Sequence, residues 1–406
     1  MTELLIRRLG HQADGIADGP VFVPGALPGE LVEGIVDGDT MRDARIVSPS
    51  SDRVKPPCAH ARTCGGCQVQ HASDAFVSEW KAQIVVDALR AQGIETPLRA
   101  VFTSPPGSRR RAGFAARRTK KGAMAGFYQK RSDILTEVPG CKVVDPALLA
   151  ALPLACDLAQ AGTSRKASVS VMVTLSEAGL DVLVTGGKPL DPQLEMTLAG
   201  LAQKYDLARL SWSDDLTLTR RKPVQTFGKV RVVPPPGAFL QATPQGEAAL
   251  VRAVTEAVGS AARIADLFAG CGTFALPLAS QAQVHAVEGA EDHVQALDDA
   301  WRNASGLRQV TTEARDLFRR PLMSDELKYD AIVLDPPRAG AERQVEQIAR
   351  SDVPVIAYVS CNPISFARDA AILINAGFTL DWLEVIDQFR WSSHVEVASR
   401  FSRTDT

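Results

Sequence analysis

The chain has 406 residues, 45 lysines and arginines against 47 aspartates and glutamates, and a formal net charge of −2. With 45% hydrophobic and 23% charged residues it is a globular sequence, long enough for two or three domains at ~150 residues each, and wholesale disorder is excluded. No stretch approaches the ~18 uninterrupted apolar residues of a membrane span, so no membrane association is expected. The opening MTELLIRRLGHQADG carries Glu3 and lacks an apolar run, so no secretory leader is expected either. Seven cysteines in such a chain point to metal or catalytic thiols, not a disulfide scaffold. The expected location is the cytoplasm, and nothing calls for an obligate protein partner.

Residues 1–54 place Gly15, Gly19, Gly25, Gly29, Gly34 and Gly38 between short apolar runs such as Val21-Phe22-Val23. That spacing predicts a small β-barrel or sandwich. Three cysteines follow as Cys58-x5-Cys64-x2-Cys67, then a helical pattern over 74–92. With Cys141 they make four thiolates, a complete set for a [4Fe-4S] cluster or a zinc ion, and spacing does not separate the two. From Arg109 to Arg131 nine basic residues occur with no acid among them, interleaved with Phe114, Phe127 and Tyr128. Arg220, Arg221, Lys222, Lys229 and Arg231 form a second basic run. Such runs suit phosphate contacts and base stacking, although many charge runs are only solvated faces. Strand-like stretches over 167–175 and 180–184 end at the Pro234-Pro235-Pro236-Gly237 break.

After that break the pattern alternates. Helices are predicted over 245–258, 272–280 and 291–303, and strands over 263–268, 284–288, 311–314, 330–334 and 355–359. Strands separated by helical lengths give βαβ units and a mostly parallel sheet. Asp266-Leu-Phe-Ala-Gly270-Cys-Gly272 links a strand to a helix, and Glu288 ends the next strand, placed to take ribose hydroxyls. A nicotinamide cofactor and S-adenosylmethionine fit this turn about equally. Asp335 and Cys361 each follow an apolar strand, and the crevice of a doubly wound sheet lies at such strand ends. Ser393 to Val397 alternates polar and apolar residues, which alone reads as an edge strand with Glu396 solvated.

Four motifs together resemble the bacterial RNA uracil-5-methyltransferases: Ser360-Cys361-Asn362-Pro363, Asp335-Pro336-Pro337-Arg338, His394-Val395-Glu396 and Phe239-Leu240-Gln241. That family uses S-adenosylmethionine to form 5-methyluridine in 23S rRNA and tRNA. The likeness runs nearly full length. VPGALPGE (23–30) resembles the TRAM domain, an OB-like RNA-binding barrel, and CAHARTCGGCQVQH (58–71) resembles the cysteine segment of the rRNA-modifying branch. The resemblance implies an α/β protein in three parts. These are a TRAM-like β-barrel over 1–54, a β-rich cysteine-cluster and RNA-binding region over 55–235, and a doubly wound, Rossmann-like methyltransferase domain over 236–406.

It also implies roles. Cys361 would add to carbon 6 of uracil, activating carbon 5 for methylation, and Glu396 would remove the carbon 5 proton. Gln241, Phe268, Thr273, Glu288, Asp316 and Asp335 would surround S-adenosylmethionine, with Asp335 also in reach of the target base. Cys58, Cys64, Cys67 and Cys141 would hold a [4Fe-4S] cluster. Its spacing differs from the C-x3-C-x2-C of radical enzymes, so a structural or RNA-positioning role is expected. The partner implied is RNA, 23S rRNA ahead of tRNA. The sequence departs from the family pattern at Thr273, at Ala242-Thr243 and at Phe389-Arg390-Trp391-Ser392-Ser393. A Thr hydroxyl replaces part of an Asn hydrogen bond, so cofactor binding is expected to survive, while the Arg390-Trp391 change bears on how the flipped base is held. A nicotinamide oxidoreductase and a non-catalytic RNA-binding protein are the rival readings.

Overall fold

The computed structural model describes residues 1–95 and 98–403. β1 (Thr2–Leu9), β2 (Asp14–Ala17), β3 (Val21–Pro24), β4 (Leu31–Asp37) and β5 (Thr40–Ser48) close into a five-stranded barrel in the order β1-β2-β3-β5-β4. Ile6, Val23, Val32 and Met41 fill it. Buried Glu30 accepts from the Leu27 N–H at 2.8 Å and pairs with Arg53, which clips the barrel to the next segment. That segment carries three of the cluster cysteines and runs into α1 (Asp74–Arg90), whose first turn is capped by Ser73.

β6 (Leu98–Thr103) leads to a second layer. It comprises β7 (Arg111–Arg118), β8 (Ala123–Tyr128), β9 (Leu135–Thr136), α2 (Pro146–Leu149), α3 (Leu152–Gly162), β10 (Ser168–Ser176), β11 (Gly179–Thr185), α4 (Pro192–Lys204), β12 (Arg209–Trp212) and β13 (Leu216–Thr219). These strands make a seven-stranded sheet, β13-β12-β11-β10-β7-β8-β9, with Leu154, Leu158 and Leu198 of α3 and α4 packed into its core. A short hairpin, β14 (Gln225–Phe227) and β15 (Val230–Val232), precedes the third layer.

There, α5 (Pro244–Val258), β16 (Arg263–Leu267), α6 (Ala275–Leu278), β17 (Gln283–Glu288), α7 (Glu291–Arg302), β18 (Val310–Ala314), β19 (Ala331–Leu334), α8 (Glu342–Ala349), β20 (Val355–Ser360), α9 (Pro363–Asn375), β21 (Phe378–Asp387) and β22 (Val397–Arg403) follow. The eight-stranded sheet runs β18-β17-β16-β19-β20-β22-β21-β6. β18 to β20 are parallel, β22 is antiparallel to both neighbours, and β6 is parallel to β21. Apolar clusters cover both faces, which is why β19 and β20 are continuous apolar runs without alternation. The doubly wound fold expected from the sequence is present, extended by an outer strand drawn from residues 98–103. Among the described residues no helix is long and apolar enough to cross a membrane.

Candidate active site

Functional side chains emerge where the parallel strands end. β16 runs into Phe268, whose φ of +65° is a strained left-handed conformation, and then into the turn at Gly270 and Gly272. The Gly270 N–H donates to Glu288 Oε2 at 3.0 Å, and the Ala290 N–H donates to Glu288 Oε1 at 3.0 Å. Each carboxylate oxygen keeps a free lone pair, so Glu288 has capacity for two ligand hydroxyls. Asp316, past β18, holds its own turn by accepting from the Phe318 N–H at 3.0 Å. The rings of Phe268 and Phe318 lie 5.5 Å apart. Phe268, Thr273, Glu288 and Asp316 thus come from three adjacent strand ends. Beneath them Asp266 is fully buried with both carboxylate oxygens unpartnered, and burial pushes its carboxyl up to about 8. These residues fit a nucleoside-bearing ligand.

Gln241, Asp335, Cys361 and Glu396 form the second half of the site. Thr243 caps α5 and Pro244 begins it, which brings Gln241 to the sheet edge. Asn362 caps α9 in the same way, with Pro363 at its first position, so Cys361 stands just before a helix N-terminus. Gln241 Nε2 donates to Asp335 Oδ2 at 3.3 Å. Gln388 Nε2 donates to Gln241 Oε1 at 2.6 Å and to Glu396 Oε2 at 2.5 Å. Glu396 precedes β22 and is 3% exposed, so the solvated edge-strand reading of this acid does not hold.

The electrostatics are those of a dry, acid-rich pocket. Burial lifts Glu396 to about 7, with Gln388's hydrogen bond opposing the shift. Burial, then Glu396 and Asp266, raise Asp335 well above the ordinary carboxylate range. Burial, then Glu396 and Asp335, push the Cys361 thiol up to about 11, while Arg338 pulls the other way. The raised carboxyls spend more time neutral, which removes part of the repulsion that opposes a thiolate.

Cys361 opens onto a cleft of about 560 Å³ that the barrel helps to build. Arg8 of β1 and His11 from the loop after it line the cleft with Gln83 of α1, Arg338 and His394. Nothing in the sequence placed Arg8 or His11 near the thiol.

All four cluster cysteines line one cavity of about 240 Å³, with Arg109 and Phe127. The Gly66 N–H donates to Cys64 Sγ at 3.4 Å, and burial pushes the Cys67 thiol up to about 12. Gly65 is required there, since a Cβ would lie 2.8 Å from the Tyr128 carbonyl oxygen. Among the described residues no group of three or more His, Cys, Asp or Glu side chains is arranged to hold a metal ion. The cysteines expected to hold a cluster thus line one cavity without being arranged as a metal-ligand set.

This segment also supports the loop that precedes Glu396. The N–H groups of Gln68 and Val69 donate to the Trp391 carbonyl at 2.8 and 3.0 Å. Trp391 has φ +61°, its Nε1 donates to Asp74 at 3.2 Å, and Arg390 pairs with Asp74. The departure from the family pattern at Arg390-Trp391 is thus occupied in tying Phe389–Ser393 to α1 and the cysteine segment.

The basic runs are less free than their sequence suggests. Arg110 is buried against Glu247, Arg111 donates to the Gly237 carbonyl at 2.9 Å, and Arg109 is turned into the cysteine cavity. Lys130 and Arg131 pair with Asp14 of the barrel, and Arg220 and Arg221 with Asp206. Arg117, Arg118, Lys120 and Lys121, around the β7–β8 turn, have no ion-pair partner among the described residues. The run was acid-free in sequence but not in space. Sequence reasoning also missed Lys81, Asp387 and Gln388; a lysine in an amphipathic helix reads as solvated, and only the polar pair closing the apolar β21 hinted at the other two.

Comparison with known proteins places the chain. The family description tRNA (Uracil-5-)-methyltransferase matches residues 235–403. An RNA methyltransferase of Rhizobium meliloti is 44% identical over 408 residues, covering 98% of both chains. The 23S rRNA (uracil(1939)-C(5))-methyltransferase RlmD of Halomonas elongata is 34% identical, covering 97% of this chain and 88% of its own. The crystal structure of Pyrococcus abyssi tRNA (uracil-54, C5)-methyltransferase with S-adenosyl-L-homocysteine shares the fold, with a TM-score of 0.75 at 23% identity over 98% of this chain and 99% of that one. The chain belongs to the S-adenosylmethionine-dependent RNA uracil-5-methyltransferases.

Proposed function

We propose that this enzyme methylates carbon 5 of a uridine in 23S rRNA through a covalent adduct between Cys361 and carbon 6. The observation that carries the reading is the convergence of Cys361, Asp335 and Glu396 in one buried pocket, beside the strand-end residues suited to a nucleoside. Carbon 5 of uracil is a poor nucleophile. Addition of the Cys361 thiolate to carbon 6 pushes the ring electrons towards carbon 5, which then takes the methyl group. S-adenosylmethionine supplies that methyl on a sulfonium and departs neutral. Glu396 accepts the carbon 5 proton, the carbon 5–carbon 6 double bond re-forms, and the sulfur–carbon 6 bond breaks to release Cys361.

The other assignments rest on the same reading. Gln241, Phe268, Thr273, Glu288, Asp316 and Asp335 hold S-adenosylmethionine, with Glu288 on the ribose hydroxyls. The target uracil leaves its stack and enters the cleft lined by Arg8, His11 and Arg338, at a cost of a few kcal/mol in a duplex and less in a loop. Cys58, Cys64, Cys67 and Cys141 hold a [4Fe-4S] cluster with a structural role. The enzyme works in the cytoplasm. The quartet of cysteines and the 34% identity to an rRNA enzyme favour 23S rRNA over tRNA.

The test is 5-methyluridine by mass spectrometry in separated tRNA and 23S rRNA, from cells with and without the gene. Loss from 23S rRNA alone is expected. Loss from tRNA alone keeps the reaction and overturns the substrate; no loss from either overturns both.

A further inference from the structure

Gln388 has no role in the chemistry above, yet it is the most connected side chain in the pocket. It is 1% exposed. A primary amide has two N–H groups and one carbonyl, and here all three are engaged. One N–H goes to Glu396 Oε2 at 2.5 Å and the other to Gln241 Oε1 at 2.6 Å. The carbonyl accepts from the Thr243 N–H, at 3.4 Å, in the cap of α5. Because Gln241 Oε1 is taken by Gln388, the Gln241 amide can only turn its own N–H towards Asp335, which it does at 3.3 Å. The result is a single polar chain, Asp335–Gln241–Gln388–Glu396, across four separate strand ends or helix caps.

Two features hold Gln388 at its post. Its neighbour Asp387 pairs with buried Lys81 at 2.6 Å, and Lys81 also donates to the Phe389 carbonyl at 3.0 Å, so both flanks of Gln388 are pinned from α1. Gly246 lies against it, where a Cβ would come 2.8 Å from Gln388 Oε1. Any side chain at position 246 would displace this amide.

We propose that Gln388 is a positioning residue for the proton-removal step, orienting the Glu396 carboxylate with one N–H while the other fixes Gln241 against Asp335. The inference rests on Glu396 being the base. Glu396 takes the carbon 5 proton, the carbon–hydrogen electron pair re-forms the ring double bond, and Cys361 leaves as thiolate. With Gln388 removed, methyl transfer proceeds but the methylated adduct is resolved slowly. The titratable groups facing Glu396 are Cys361 and Asp335, with Arg338 beyond the thiol. None of these donates to Glu396, so the Gln388 bond is what favours the ionised carboxylate. Its loss moves the alkaline-rising limb of adduct resolution upward by about one pH unit.

The experiment uses full-length enzyme, S-adenosylmethionine and a uridine-containing 23S rRNA fragment, with adduct scored on denaturing gels over a pH series. Wild type, Gln388→Met, Gln388→Asn and Glu396→Gln are run together, and S-adenosylhomocysteine binding confirms that each is folded. Gln388→Met is expected to accumulate methylated adduct, resolve it roughly tenfold more slowly and show the shifted limb. Gln388→Asn, which keeps the donors one methylene short, falls between it and wild type. Should Gln388→Met not fold, the shorter amide carries the test alone. Accumulation in Glu396→Gln but wild-type resolution and an unshifted limb in both Gln388 variants overturns the role of Gln388 and leaves the base in place. No accumulation in Glu396→Gln overturns the assignment of the base, and the role of Gln388 with it.

Discussion

Lys81 Nζ lies 2.6 Å from Asp387 Oδ1, and neither side chain reaches water. Burial drives the lysine towards its neutral form and Asp387 opposes the shift, so the pair survives as ions only together. Asp387 closes β21 and Lys81 sits mid-way along α1, so this ion pair fastens the helix after the cysteine segment to the loop that carries Gln388 and Glu396.

Removing one partner leaves the other charged and unsolvated. Lys81→Met is expected to lower stability by about 3–5 kcal/mol in urea unfolding, whereas Lys81→Met with Asp387→Leu recovers much of it. A single variant as stable as wild type would show that the pair carries no fold energy.

Methyl transfer and adduct release should part company in pH. Burial sets Glu396 near 7 and a carboxyl accepts a proton only when ionised. Release of methylated RNA from a pre-formed adduct therefore accelerates as pH rises and levels off above about 7. Single-turnover release followed between about pH 5 and 9 checks this. A rate that falls with pH would remove Glu396 from the step.

Gly272 has φ +94°, and a Cβ there would meet Leu276 Cγ at 2.9 Å. Gly272→Ala strains the turn by about 1–3 kcal/mol, so S-adenosylhomocysteine binding by calorimetry weakens roughly ten- to a hundredfold. Unchanged affinity would place the nucleoside away from this turn.

The cysteine segment supports the loop that precedes Glu396 through the amides of Gln68 and Val69 on the Trp391 carbonyl. Cys64→Ala is expected to abolish the visible absorbance, iron and acid-labile sulfide of anaerobically purified protein. It is also expected to raise hydrogen exchange at Gln68 and Val69, because metal-binding energy at such a site is folding energy. Wild-type protein that carries zinc and no iron would overturn the cluster.

What could be read from the sequence was what local rules fix. Cys361 and Glu288 follow apolar strands of parallel units, where chain direction alone decides which end faces the crevice. Asn362-Pro363 and Thr243-Pro244 announce helix starts by capping chemistry. The glycine spacing of residues 1–54 announced a small β-domain, barrel or sandwich, and the structure is the barrel. What escaped depended on distant pairing. Lys81 and Asp387 are separated by 306 positions, and the approach of β6 to β21 leaves no local signature. Lys130 meets Asp14 across 116 positions, so an acid-free run of sequence said little about free charge. Burial of Glu396 escaped for a related reason. Its alternation pattern fits an edge strand, but the strand it leads into pairs on both sides, with β20 and β21, a long-range arrangement with no local signature.

The central claim is that Cys361 bonds covalently to the target uridine, and RNA carrying 5-fluorouridine tests it most directly. Fluorine on carbon 5 cannot leave as a proton, so the adduct cannot resolve once the methyl group is in place. Wild-type enzyme with S-adenosylmethionine is expected to form a protein–RNA species stable to denaturing electrophoresis, with mass spectrometry locating the modification at Cys361, and Cys361→Ala is expected to form none. An intact Cys361→Ala adduct, or no adduct with wild-type enzyme that methylates ordinary RNA, would contradict the account.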